Sequence, residues 1–93
     1  MGTFHDGLGD LHGITVVVET RGAITYVGRC HEENDRHVLL HDADLHDAAS
    51  SATSREEYLA RAARFGVFAK HRTLAVPRGE VTSIRRLGEL ARG

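Results

Sequence analysis

Residues 14–20, ITVVVET, constrain this chain more than any other stretch, because six of the seven are β-branched. Such side chains lose rotamer freedom in a helix and pack well on a pleated surface, so the segment predicts a strand. Alternation puts Ile14, Val16 and Val18 on one face, with Val17 and Glu19 on the other. Arg21-Gly22 reads as a turn, and AITYVGRCH, residues 23–31, predicts a second strand. Gly28 inside it predicts a bulge or bend, the usual way a sheet curls sharply. EENDR, residues 32–36, is a polar loop. HVLLHDA, residues 37–43, predicts a third strand, with His37, Leu39 and His41 on one face and Val38 and Leu40 on the other.

The pattern then changes. Residues 44–53, DLHDAASSAT, are small and polar and predict a flexible connection. Ser54 and Glu57 have capping-box spacing, and SREEYLARAARF is rich in helix formers. Tyr58, Leu59, Ala62 and Phe65 form the expected apolar stripe, and Gly66 the expected stop. VFAKHRTLAV, residues 67–76, predicts a fourth strand, residues 77–79 a tight turn, and residues 80–87 a fifth strand anchored by Val81 and Ile84. The last residues, GELARG, predict a frayed tail. At the other end, Phe4, Leu8 and Leu11 in residues 3–12 have the spacing of a short helix, weakened by two glycines. The expected order is a short helix, three strands, a helical insert over 44–66, and two strands. Five short strands with a glycine bend suit a small all-β barrel, and 93 residues make one domain, 1–93.

Charge narrows the function. Twelve Lys and Arg against thirteen Asp and Glu give a net charge of −1. A non-specific duplex binder carries a clear basic excess, because phosphate neutralisation dominates its affinity. Single strands need only local sites of stacking and hydrogen bonding. One cysteine, Cys30, excludes an internal disulfide and a cysteine cage for zinc, and its place in a strand predicts a small buried hydrophobe. The first residues show no basic and apolar leader, and no apolar run reaches about 18 residues, so the chain is expected in the cytoplasm, without membrane contact.

Taken in order, Gly22, Gly28, the loop EENDR, His37, the run Val38-Leu39-Leu40 and the pair Asp42-Ala43 resemble the first motif of the Sm-like (LSm) RNA-binding proteins. Ala75-Val76-Pro77, Arg78-Gly79 and then Val81 and Ile84 resemble the second. The resemblance covers nearly the whole chain outside residues 44–66. It implies a strongly bent five-stranded barrel behind a short N-terminal helix. It also implies a homo-oligomeric ring, hexameric or heptameric, in which strand four of one copy pairs with strand five of the next. The ring would bind single-stranded U- or A-rich RNA at its pore, by stacking and by hydrogen bonds to base edges. The site residues so implied are Arg78 and Gly79 of the second motif, His37 at the place held by a base-reading Asn, and Asn34 or Asp35 at the place of the family's loop Asp.

Other chemistries have weaker support. His37, His41 and His46 with Asp42, Asp44 and Asp47 form a local cluster, but His37 and His41 stand about 13 Å apart by strand rise, too far for one ion. The spacing fits no zinc site, so no metal or cofactor is expected. There is no Gly-x-Ser-x-Gly elbow, no phosphate-binding glycine loop and no His-Glu-x-x-His, so no catalysis is expected. The alternative function is a scaffold of the same fold that binds protein partners and no RNA, which suits the near-neutral charge.

Overall fold

A computed structural model describes residues 13–91. The expected N-terminal helix lies outside the described residues. The elements are β1 (Thr15–Thr20), β2 (Ile24–Glu33), β3 (His37–Asp47), α1 (Arg55–Phe65), β4 (His71–Pro77), a 3-10 turn (Arg78–Glu80), β5 (Val81–Arg86) and α2 (Leu87–Ala91). The strands form one antiparallel sheet in the order β4-β3-β2-β1-β5, so β4 and β5 are its edges.

The sheet curls around one core. Val16 and Val18 from β1, Cys30 from β2, Val38, Leu40 and Ala43 from β3 and Val76 from β4 are buried together, and Val81 and Ile84 of β5 pack against them. All five strands therefore meet at a single apolar cluster, which a flat sheet cannot arrange. The bend has a visible cause at Gly28, where the register of β2 against β3 slips between Val27 and Arg29. A Cβ on Gly28 would lie 2.7 Å from the Cβ and 3.0 Å from the Cα of Ala43. Opposite it, Asp42 takes a positive φ of 49°. A second slip lies between Cys30 and Glu32.

The middle of the outer face is buried too. Val17 and Val27 lie under α1 and α2, packed with Leu59, Ala62 and Leu87. That explains the uninterrupted VVV of β1, which serves both faces of the sheet. Ser54 caps α1, its hydroxyl oxygen accepting the N–H of Glu57 at 3.1 Å. Gly66 ends it at φ 94°, a conformation that favours glycine.

Five sequence expectations change. β3 does not stop at Ala43 but runs to Asp47, because Asp44, Leu45, His46 and Asp47 pair with Val27, Tyr26, Thr25 and Ile24. The polar side chains this brings in find partners. The Tyr58 hydroxyl donates to Asp44 at 2.9 Å, and His46 Nε2–H donates to the Thr53 carbonyl at 2.7 Å. The helical insert therefore begins after Asp47. β2 continues past His31 to Glu33, since Glu32 and Glu33 pair with Leu39 and Val38 beyond the second slip. β4 starts only at His71. Its ladder with β3 ends at Ala43, next to the backbone twist at Asp42, where the Lys70 N–H reaches the Ala43 carbonyl at 3.0 Å. Residues 88–91 of the expected frayed tail are helical, and Leu87 at the head of α2, 6% exposed, anchors it against α1; residues 92–93 lie outside the described residues. Phe65 also leaves the stripe expected of it. It stands about 120° around the helix from Leu59 and is 79% exposed.

Candidate functional site

The β2–β3 loop and the β4–β5 turn meet at one end of the sheet. Asn34 shapes the loop: its side-chain carbonyl accepts the N–H groups of Arg36 and His37, both at 2.8 Å. Its own N–H donates to the His37 carbonyl at 2.9 Å. This is an Asx turn, the local bonding at which Asn and Asp excel. Asp35 and His37 are exposed at the tip and at the start of β3. His37 pairs across the ladder with Pro77, the residue before Arg78.

Arg78 ties the two loops together twice. Its N–H donates to the Arg36 carbonyl at 2.8 Å. Its guanidinium pairs with the carboxylate of Glu33, whose side chain is only 6% exposed against 26% for Arg78. A guanidinium fixed by a sheltered carboxylate presents its plane in one orientation, as stacking requires. Gly79 sits exposed in the 3-10 turn, and a Cβ there would meet nothing within 4 Å. Its backbone does not need glycine, and the missing side chain leaves open space beside Arg78. A cavity of about 390 Å³ adjoins the same turn, lined by Arg21, Ile24, Tyr26 and Glu80 among others. The Arg21 N–H donates to the Glu80 carbonyl at 3.0 Å, so the β1–β2 turn leans on this corner.

The five residues singled out in the sequence thus lie on two adjoining loops or, for His37, at the first residue of the strand that follows. Asn34 differs from the rest, because its acceptor oxygen is occupied within the loop. Glu33 was not legible as part of this site. As the second glutamate of a polar loop it had no distinguishing mark, and only the continuation of β2 turns it toward Arg78. Cys30 is buried in the core; desolvation pushes its thiol pKa up, and the charge of Glu33 adds to the effect.

The His/Asp cluster is dispersed. His41 stacks on His31 with ring centroids 4.1 Å apart, His46 stacks on Tyr58 at 4.8 Å, and Asp42 pairs with Arg29. Asp47 accepts the Ala49 N–H at 2.9 Å. Among the described residues no group of three or more His, Cys, Asp or Glu is placed to hold a metal ion. No helix among them is long and apolar enough to cross a membrane.

Comparison with solved structures places the architecture. The Pyrococcus abyssii Sm protein, solved in complex with a uridine heptamer, matches with a TM-score of 0.61 at 15% identity, over 88% of this chain and 94% of that one. A novel Sm-like archaeal protein from Pyrobaculum aerophilum matches with a TM-score of 0.58 at 17% identity, over 87% of this chain and 48% of that one. A chain of the NatC complex bound to CoA matches with a TM-score of 0.58 at 19% identity, over 91% of this chain and 90% of that one. No protein-family model matches the sequence, and no curated protein does. The chain has an Sm-like fold: a bent, antiparallel, five-stranded all-β sheet, here with helices packed on its outer face.

Proposed function

We propose that this chain is a non-catalytic Sm-like protein that assembles into a hexameric or heptameric ring and binds single-stranded RNA. In this reading the binding surface is the face made by the β2–β3 loop and the β4–β5 turn. The observation that carries it is the linkage of Arg78 to the loop of Asn34, Asp35 and His37, through Arg36 and Glu33. Arg78 supplies a fixed planar cation beside open space at Gly79, His37 a ring with a donor, and Asp35 an acceptor at the tip. Such a set suits unpaired bases, which offer a π-face and an edge together. A similar fold that binds a uridine heptamer supports a U-rich ligand. The two edge strands, each paired on one side only among the described residues, support the ring, because β4 of one copy and β5 of the next would complete each other. Such a protein would act in the cytoplasm.

The test is titration of labelled oligouridine and oligoadenosine, with mass by light scattering on the same samples. A ring whose affinity falls about tenfold or more on Arg78→Ala, with His37→Ala additive, is the expected result. Arg78→Lys keeps a cation for Glu33 and loses the plane, so it should fold normally and still bind weakly. A monomer that binds no RNA at low salt would overturn the reading.

A second reading has its own support: a scaffold of the same fold that binds protein partners and no RNA. The net charge of −1 and the likeness to a chain of a multi-protein complex favour it. A ring without RNA affinity at any salt concentration would select it.

A further inference from the structure

Residues 58–79 contain no Asp or Glu, yet they carry Arg61, Arg64, Lys70, Arg72 and Arg78, with His71. The chain as a whole has net charge −1, so the remainder is acidic and this run is a local basic island. At its centre lies the corner between α1 and β4. Gly66 turns the backbone at φ 94°, and Val67 points inward onto the cluster beneath α1. Phe65 and Phe68, on either side, point outward, each 79% exposed. Among the described residues the only other exposed large hydrophobic side chain is Ile14, at 37%. The Arg64 guanidinium carbon lies 5.8 Å from the centre of the Phe65 ring. Arg64, Lys70 and Arg72 form no ion pair with any described residue.

Two bare aromatic rings among uncommitted cations are costly for a domain with nothing to bind. A protein-docking patch is poor in lysine around its apolar centre, although arginine is enriched there. Here Arg64 stands by the Phe65 ring, Lys70 and Arg72 follow Phe68 in sequence, and the run holds lysine but no carboxylate, a composition that binds a flexible polyanion with π-faces. We propose that the α1–β4 corner is a second single-stranded RNA site, in which Phe65 and Phe68 stack on unpaired bases while Arg64, Lys70 and Arg72 take the phosphates. It stands on residues separate from the loop site. β4 leads from this corner to Arg78 over about 20 Å, so one long RNA reaches both sites and a short one occupies either. Linkage of this kind raises affinity with RNA length without any new contact.

The experiment is fluorescence anisotropy on the full chain with short and long oligouridine, and with duplex RNA as a control, at low and at moderate salt. Phe65→Ala/Phe68→Ala should weaken long oligouridine by about tenfold or more and largely remove the advantage of length. Phe65→Leu/Phe68→Leu, which keeps the apolar surface and removes the π-face, should do the same. Phe65→Trp/Phe68→Trp should bind as well as wild type. Both side chains are exposed, so circular dichroism and melting should be unchanged; Arg64→Glu/Lys70→Glu provides an independent variant with the same expected loss. Wild-type affinity in the leucine variant would overturn the proposal, since stacking would then be absent. A fall in oligomer mass with RNA affinity intact would overturn it in favour of a contact between copies. Loss on Arg78→Ala alone would leave the loop site standing and remove this one; loss on the phenylalanine variants alone would do the reverse.

Discussion

At Gly28 the bend of the sheet comes down to one missing methyl group. A side chain there would meet the backbone of Ala43, which no rotamer change relieves. Gly28→Ala should cost about 1–3 kcal/mol, the range for overpacking a filled site. Denaturant unfolding measures it, and an unchanged midpoint would mean that Ala43 yields freely. This residue was legible in the sequence, because a glycine inside a β-branched run weakens the strand and so marks a bulge, a bend or a close backbone approach. Arg78 was legible only through its resemblance to a known motif; as a residue type it is an ordinary turn arginine. What holds it, Glu33, was hidden, because the second register slip carries β2 past the point where composition turns polar. Asn34 shows the converse. Its position matched the family's loop Asp while its type suits a turn, and the Asx turn takes up its acceptor.

Individual elements were read more easily where periodicity was clean. β1, the Ser54 cap and the Gly66 stop all follow local rules, and the structure has them where the sequence puts them. β3 and residues 88–91 depart from the sequence reading because tertiary contacts decide them. Asp44 and His46 look like loop residues until Tyr58 and Thr53 bond them. α2 is a short helix in a polar tail, secured by the burial of Leu87. Leu87→Ala should therefore cost about 2–4 kcal/mol through the cavity it leaves. A loss under about 0.5 kcal/mol, the scale of ordinary surface changes, would show α2 to be a passenger. The strap between α1 and β3 is also sensitive to pH. Burial, the hydrogen bond to Asp44 and the charge of Asp44 all raise the Tyr58 pKa above its ordinary value of about 10. The folded state then keeps its proton where the unfolded chain has lost it. Stability should be full below about pH 10 and fall as the pH rises beyond it. Tyr58→Phe should flatten that alkaline decline and, by removing the donor to buried Asp44, cost about 1–3 kcal/mol at neutral pH. Urea melts at a series of pH values test both effects, and an alkaline slope unchanged in the variant would assign the decline elsewhere.

For the whole molecule, the sequence led to the right architecture because bending and alternation are local. It did not reveal that both faces of the sheet are covered at β1 and β2, because one VVV run is compatible with a one-sided strand beside a chance valine. Coverage at the middle of the sheet leaves binding to the rims, the corner and the two edges. It also sets a clock. β1 lies between β2 and β5 and is buried on both faces, so its amide protons should exchange with solvent only when the whole fold opens, after every other segment. Among the described residues β4 has β3 on one side and no strand on the other in a single copy, so its amides should exchange by local fraying, orders of magnitude sooner. A second copy laid against that edge would make β4 an interior strand and slow its exchange toward that of β1. Deuterium uptake across residues 71–77, followed over a dilution series, would therefore report the presence of a neighbour strand by strand, without reference to mass.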